Sequence, residues 1–550
     1  MRDCDANQRC VSGSCKGSNE SAGQLGDSCA ATSECGSGLT CEVAASGFPN
    51  GFCTVACATG ACGSGACAGL ASGATCAPLC TSDNDCRTGY GCCPGLGSVC
   101  VPNGACLPGA CVRTVATSPL PSAQVIALGT HKVGEQLSFN VPAGTASLTI
   151  VHQAKLAGLE VVFQGSLIDN SAVPSLILKP DGSKAFDRTD PAFNTDSSSD
   201  GGVDPSGQYS MFSLYSPSTA AFTIPNTSAS LTAGVPAGTW KFVVNDFAYE
   251  CSARNSGCSD GGVDTDTYDL SVLLKPAPTA NIDLAFYIVG DATTNTGQTF
   301  THINAPTDPS AQRMVQTMTS VYSAQGINVR NVNWYDVSAT DKTRFGTHIS
   351  ADLTGPCDEL NQMFTLSSAH PGNTVNLFLV QAISAKSNGG GTVVGIDGTI
   401  PGPASLSGTV HSGAAVSLSD LFAERAGSSG CIGPTNIGNC GADEVAFTAA
   451  HETGHFLGLF HPTEEQGRDF DPLTDTGKCP CALCAAAVDR SRCDTQTQSN
   501  PVVMSGPLCA ATSGPCMGGD NLMFWQLSST SKGTVSPQQA AIMMRSPALQ

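Results

Sequence analysis

Three histidines fall within one short run, His451-Glu452-Thr453-Gly454-His455-Phe456-Leu457-Gly458-Leu459-Phe460-His461. Positions four apart share a helix face, so His451 and His455 project together and can chelate one ion. Gly458 tolerates φ > 0 and permits a sharp turn. His461 can then swing back as a third ligand, and Pro462 prevents the helix from resuming. Three neutral imidazoles suit zinc and leave it one open position, which is the catalytic arrangement. A water taken up there becomes a hydroxide-like nucleophile near neutral pH. Glu452, next to the first ligand, is placed to take the water's proton and hand it to a leaving amine. A helix with surface histidines and no metal leaves the spacing unexplained, since these are three of only nine histidines in the chain. A zinc site without activity leaves Glu452 without a role.

The run must sit on a helix, and Ala446–Phe460 reads as one, with Asp443 or Glu444 near its start. Upstream, Ile282–Val289 is a strand candidate. Pro309 opens a helical run with Ala311, Met314, Val315, Met318 and Val321 on one face. Ile327–Tyr335 and Thr374–Gln381 read as further strands. Strand, helix, strand, helix, strand is the order of an α/β half-domain. A last helix candidate spans Ser536–Arg545.

The extended histidine run is the metzincin signature, and the resemblance covers residues 277–550. It implies an α/β metzincin-like metalloprotease domain that hydrolyses peptide bonds, with Glu452 as general acid/base. It also implies a methionine turn beneath the zinc, at Met523 in Asn521-Leu522-Met523-Phe524-Trp525. Within the metzincins the chain most resembles pappalysins. These carry Asp-Thr-Pro followed by cysteine where this chain has Asp475-Thr476-Gly477-Lys478-Cys479. The resemblance implies a disulfide from Cys516 to Cys479 or Cys481. Gly477 departs from the family's proline. Trp525 departs from its tyrosine, and an indole N–H can donate a hydrogen bond but cannot ligate zinc. The implied fold divides at Gly458, and an edge strand above the zinc helix takes the substrate's main chain. Thr374–Gln381 and Gly391–Ile396 are both candidates for that edge.

Two further regions precede this one. Residues 113–276 hold short alternating runs, 136–141, 147–151, 239–244 and 268–274, that suggest an antiparallel β-sandwich, jelly-roll-like in layout. A repeated hexapeptide, 199–204 and 259–264, reads Ser-Asp-Gly-Gly-Val-Asp. It offers oxygen ligands for calcium or, equally, two solvated turns. Cys251 and Cys258 flank the second copy and are expected to pair.

Residues 1–112 are a set of disulfide-rich repeat modules. Eighteen of the 29 cysteines lie between Cys4 and Cys111. The spacing Cys29-x5-Cys35-x5-Cys41 recurs at Cys80, Cys86 and Cys92, and Cys4, Cys10 and Cys15 form a shorter copy. Such modules are too small for a core and are stapled instead. Residues 1–276 are candidates for docking to a cell surface or matrix, or for a plain spacer. Eleven cysteines follow residue 111, an odd number, so one is a free thiol or has its partner elsewhere.

Disulfide density points to an oxidising, extracellular setting. No signal peptide is visible after Met1, so the numbered chain is expected to begin downstream of the true start. The net charge of −20 argues against nucleic acid or an anionic membrane as main partner. No apolar run is long enough to span a bilayer. Together these features point to a secreted, multidomain zinc endopeptidase acting on protein or peptide. The competing reading is an extracellular adhesion or binding protein whose zinc site is structural.

Overall fold

The structure is a computed structural model that describes residues 8–550 apart from 103–114, 156–172, 191–218, 246–266, 352–358, 385–392 and 424–430 and scattered shorter runs. Both copies of the Ser-Asp-Gly-Gly-Val-Asp hexapeptide and the Cys251/Cys258 pair lie outside the described residues. Among the described residues strand makes up 31% and helix 19%, so sheets supply most of the framework around the site.

The alternating runs of the second region form two antiparallel four-stranded sheets. The strands are Gln124–Lys132 (β1), Gln136–Val141 (β2), Ser147–Lys155 (β3), Val173–Leu178 (β4), Lys184–Asp187 (β5), Thr219–Ile224 (β6), Gly238–Asn245 (β7) and Thr267–Lys275 (β8), with a short helix Ser228–Ala233 (α1) after β6. One sheet runs β1-β8-β3-β6 and the other β2-β7-β4-β5. Phe139, Leu148, Ile150, Phe222, Trp240, Phe242 and Val272 fill the space between them. Because side chains alternate along a strand, the opposite face of the first sheet carries Val151, Ala221 and Leu273. These join the hydrophobic cluster of the third region. The inner strands of the first sheet are therefore buried on both faces while its edge strand β1 stays exposed, and the sandwich shares a core with the third region.

That junction contains a buried lysine. Lys275 has no exposed surface, and its Nζ donates to Ser546 O (2.6 Å) and Leu549 O (3.0 Å). Burial lowers its amine to about 7, whereas an unfolded lysine titrates near 10.4. Between those values the unfolded chain holds a proton that the folded chain has released, so stability rises with pH across this window and the contribution is flat below it. The thermal midpoint of the wild type should therefore rise between pH 7 and pH 9.5 relative to Lys275→Met, which should lack this component. Parallel curves for the two proteins would show that Lys275 stays charged.

The third region is built on a five-stranded sheet. Its strands are Asn281–Ile288 (β9), Asn328–Asp336 (β10), Val375–Val380 (β11), Gly395–Asp397 (β12) and Ala414–Ser417 (β13), in the order β10-β9-β11-β13-β12. The first four strands in this order are parallel and β12 runs antiparallel at the edge. β9 and β11 are buried almost throughout, as expected of inner parallel strands covered on both faces. Helix Pro309–Ser323 (α2) connects β9 to β10. Asp308 caps it by accepting from Ser310 N (2.9 Å) and Ala311 N (3.1 Å), and Pro309 occupies its first turn. Ala311, Met314, Met318 and Val321 are buried, as the periodicity predicts, together with Tyr322, whereas Val315 at the margin of that face is half-buried. Helices Gly441–Phe456 (α3) and Pro537–Met543 (α4) complete the core.

Boundaries differ from the sequence reading in two places. α3 starts at Gly441 rather than Ala446 and ends at Phe456 rather than Phe460. Cys440 caps it and is disulfide-bonded to Cys431, which fixes a start that propensity alone does not mark. α4 is shorter than Ser536–Arg545, with Ser536 as its cap in a capping box with Gln539.

The repeat in the first region has a repeated connectivity. Cys29–Cys41 and Cys35–Cys53 in one module correspond to Cys80–Cys92 and Cys86–Cys100 in the next. After residue 111 the eight described cysteines all pair, as Cys431–Cys440, Cys479–Cys509, Cys481–Cys493 and Cys484–Cys516. The expected partner of Cys516 is thus corrected: it is Cys484, not Cys479 or Cys481. Four cysteines stand close together after Gly477, and sequence spacing cannot rank them. No helix among the described residues is long and apolar enough to cross a membrane.

Candidate metal centre

α3 is held at both ends by buried polar groups. Near its start, Asp443 is fully buried. Its carboxylate accepts from Arg313 Nε (2.7 Å) and Nη2 (2.9 Å), Thr317 Oγ1 (2.6 Å) and Asn436 N (2.7 Å). Burial alone would raise this carboxyl, but those four donors outweigh it and hold the group below the usual carboxylate range. Further along, Tyr322 Oη from α2 donates to Ala450 O at 2.7 Å. At the far end the chain turns at Gly458 with φ of 105°, a left-handed conformation that glycine adopts without strain.

This turn brings His451, His455 and His461 together. Their ligand atoms lie within 4.8 Å of one another. His461 Nε2 is 3.1 Å from both His451 Nε2 and His455 Nε2. Each Nδ1 faces an acceptor: Leu522 O for His451 (2.8 Å), Leu459 O for His455 (2.7 Å) and Glu464 Oε2 for His461 (2.8 Å). An Nδ1 that faces an oxygen carries the hydrogen, so each Nε2 presents a lone pair. Three lone pairs converge with no hydrogen to share, which is unfavourable unless a cation sits among them. Tetrahedral nitrogen ligands about 2.0–2.1 Å from zinc lie roughly 3.3 Å apart, close to the observed spacing. Burial lowers His451 to about 3 and pushes His455 well down, so both stay neutral at physiological pH. The donor set fits a divalent metal that prefers nitrogen.

Two cysteine groups also have ligand spacing, Cys29/Cys35/Cys41 and Cys80/Cys86/Cys100. Their sulfurs are committed to disulfides, so they are not thiolate ligands.

Glu452 follows the first ligand on α3 and is 5% exposed. Burial raises its carboxyl to about 8. β12 crosses over it so closely that a Cβ on Gly395 would sit 2.3 Å from Glu452 Oε1 and 2.6 Å from Thr448 Cγ2. Of the two edge candidates, Thr374–Gln381 holds an interior strand, and Gly395–Asp397 is the edge strand at the end of the sheet opposite β10. Met523 is fully buried and lies against α3 at Gly454, where a Cβ would be 2.5 Å from its Sδ. Its own turn is held by Asn521 Oδ1, which accepts from Met523 N at 2.8 Å.

Trp525 is turned away from the role its position suggests. Its indole N–H donates to Met504 O at 2.6 Å. Asp475, in the segment resembling the pappalysin Asp-Thr motif, caps α4 by accepting from Ser536 Oγ (2.7 Å) and Gln538 N (2.8 Å). Glu464 and Gly395 are not singled out by sequence. Glu464 follows His461 by three residues with no rule that marks it. Gly395 matters only because a helix from elsewhere packs against it.

No family model matches the chain, and no curated protein matches it. Among solved structures, the chain is similar to metalloproteinase-II from Bacteroides fragilis at 14% identity and a TM-score of 0.19. The match covers 37% of this chain and 57% of that one, so it spans little more than half of that protein's length.

Proposed function

We propose that the chain is a secreted, zinc-dependent endopeptidase of the metzincin type, similar to pappalysins. Its modules would be 1–112, 113–276 and 277–550. The observation that carries this reading is the set of three Nε2 lone pairs meeting beside a buried carboxylate, under an edge strand. His451, His455 and His461 would hold the ion. Zinc bound there would supply Lewis-acid activation of water and polarisation of the scissile carbonyl.

The rest of the chemistry belongs to the chain's own residues. Leu522 O, Leu459 O and Glu464 orient the three rings through their Nδ1 hydrogens, and such partners raise ligand basicity. Glu452 accepts a proton from the attacking water and returns it to the leaving nitrogen. Among the described residues β12 has one strand partner, β13, which leaves its outer edge to pair with an extended peptide. Trp525, committed to Met504 O, takes no part in stabilising the oxyanion.

Two experiments test this reading. Incubating the purified chain with denatured casein should give cleavage that a chelator stops and added zinc restores. Casein left intact under all conditions, with zinc bound, would favour the adhesion reading instead. Separately, Gly395→Ala should push Glu452 off its position while leaving the histidines in place. Misplacing a reacting group by about 1 Å can cost roughly 10²-fold in rate, so activity should fall by about that factor at unchanged zinc content.

A further inference from the structure

The sandwich touches two segments that continue from the candidate site, through β6 and the short helix α1 that follows it. β12, which covers Glu452, continues into the loop 398–413. Within that loop, His411 is buried and its Nδ1 donates to Thr219 O at 2.5 Å. From the third histidine the chain runs on from His461 to Thr474. There Thr474 N donates to Ser228 Oγ at 2.8 Å, and Ser228 N donates to Pro472 O at 3.3 Å. Ser228 Oγ also donates to Gln538 Oε1, which ties the same point to α4.

Thr219 is the first residue of β6 and Ser228 the first of α1, just beyond its end. A six-residue strand is about 20 Å long and cannot shorten without losing its ladder. β6 pairs with β3 along its length. It is packed on both faces, with Phe222 and Ile224 in the sandwich core and Ala221 in the neighbouring cluster. A capping box between Thr227 and Ser230 fixes the start of α1, three residues after β6 ends.

We propose that β6 and α1 act as a strut that holds the loop after β12 and the segment after His461 at a set separation, as the two walls of a substrate cleft, with Ser228 as a positioning residue. This rests on the peptidase reading for its catalytic consequence. The third histidine is linked to the strut through the backbone, because Asp471 N donates to His461 O at 3.1 Å, three residues before Thr474. A sandwich used in this way is part of the catalytic unit rather than a tethered docking module.

The test compares Ser228→Ala with Ser228→Thr, which keeps the hydroxyl. Amide hydrogen exchange at Thr474 and Asp471 should be at least about tenfold faster in the alanine variant and restored by threonine. For a peptide long enough to span the cleft, KM should rise about fivefold in Ser228→Ala with kcat within twofold, and Ser228→Thr should recover it. Unchanged exchange at both amides overturns the strut. So does faster exchange confined to Thr474 with KM unchanged. If the wild type cleaves no peptide, the peptidase reading fails by itself, and exchange at Asp471 still decides whether the strut reaches the third histidine.

Discussion

Glu452→Gln is expected to lower kcat for peptide hydrolysis by about 10²–10⁴-fold, the usual contribution of a positioned acid/base. KM and zinc content should stay near wild-type values. Glutamine keeps the shape and polarity of the side chain but cannot accept the water's proton. The ligand set does not depend on that carboxylate. The three rings are oriented by Leu522 O, Leu459 O and Glu464, and α3 is anchored elsewhere. Glu452→Asp should fall between the two, since it retains the charge and withdraws it by one methylene. Steady-state kinetics with metal analysis on the same preparations checks both variants. A Glu452→Gln protein with wild-type kcat would remove Glu452 from the mechanism.

The second large effect is on stability. Asp443→Ala should cost about 3–5 kcal/mol, the usual penalty for breaking a buried ion pair by removing one partner. Asp443 has no exposed side-chain surface and Arg313 is 19% exposed. Truncation therefore strands the Arg313 guanidinium and the Thr317 hydroxyl, and also frees the Asn436 N–H that ties the preceding loop to α3. Chemical denaturation should show the lower midpoint. The double variant Arg313→Met/Asp443→Leu should recover much of the loss, because apolar replacement of a buried pair is often close to neutral. An Asp443→Ala protein of unchanged stability would mean that Cys431–Cys440 and core packing alone hold the start of α3.

How far the site was legible in sequence depended on whether its parts were local. The helix, the turn at Gly458 and the convergence of three histidines follow from spacing along one short run, and the structure brings those residues together. The strands of the sandwich and β9, α2 and β10 were also legible, because alternation and helical periodicity are written within single elements. The parts that escaped depend on contacts between distant segments. Gly395 meets Glu452 only after β12 has been laid on the edge of a sheet whose order is set by crossovers. Cys516 finds Cys484 rather than Cys479 or Cys481 because the fold after Gly458 decides among neighbours that sequence spacing leaves equivalent. Arg313 and Asp443 are 130 residues apart, and no local pattern links them. Thr219 and Ser228 carry no chemical signature at all. Their place becomes visible only when one strand is seen to touch the loop of His411 at one end and Thr474 near the other.

The most direct test of the metal centre is X-ray absorption at the zinc edge on the purified chain, with metal content measured in parallel. The expected result is one zinc per chain with a first shell of nitrogen and oxygen donors at about 2.0–2.1 Å, including three imidazoles, and loss of that signal in His461→Ala. A shell containing sulfur at about 2.3 Å, or a chain that takes up no zinc with all three histidines in place, would contradict it.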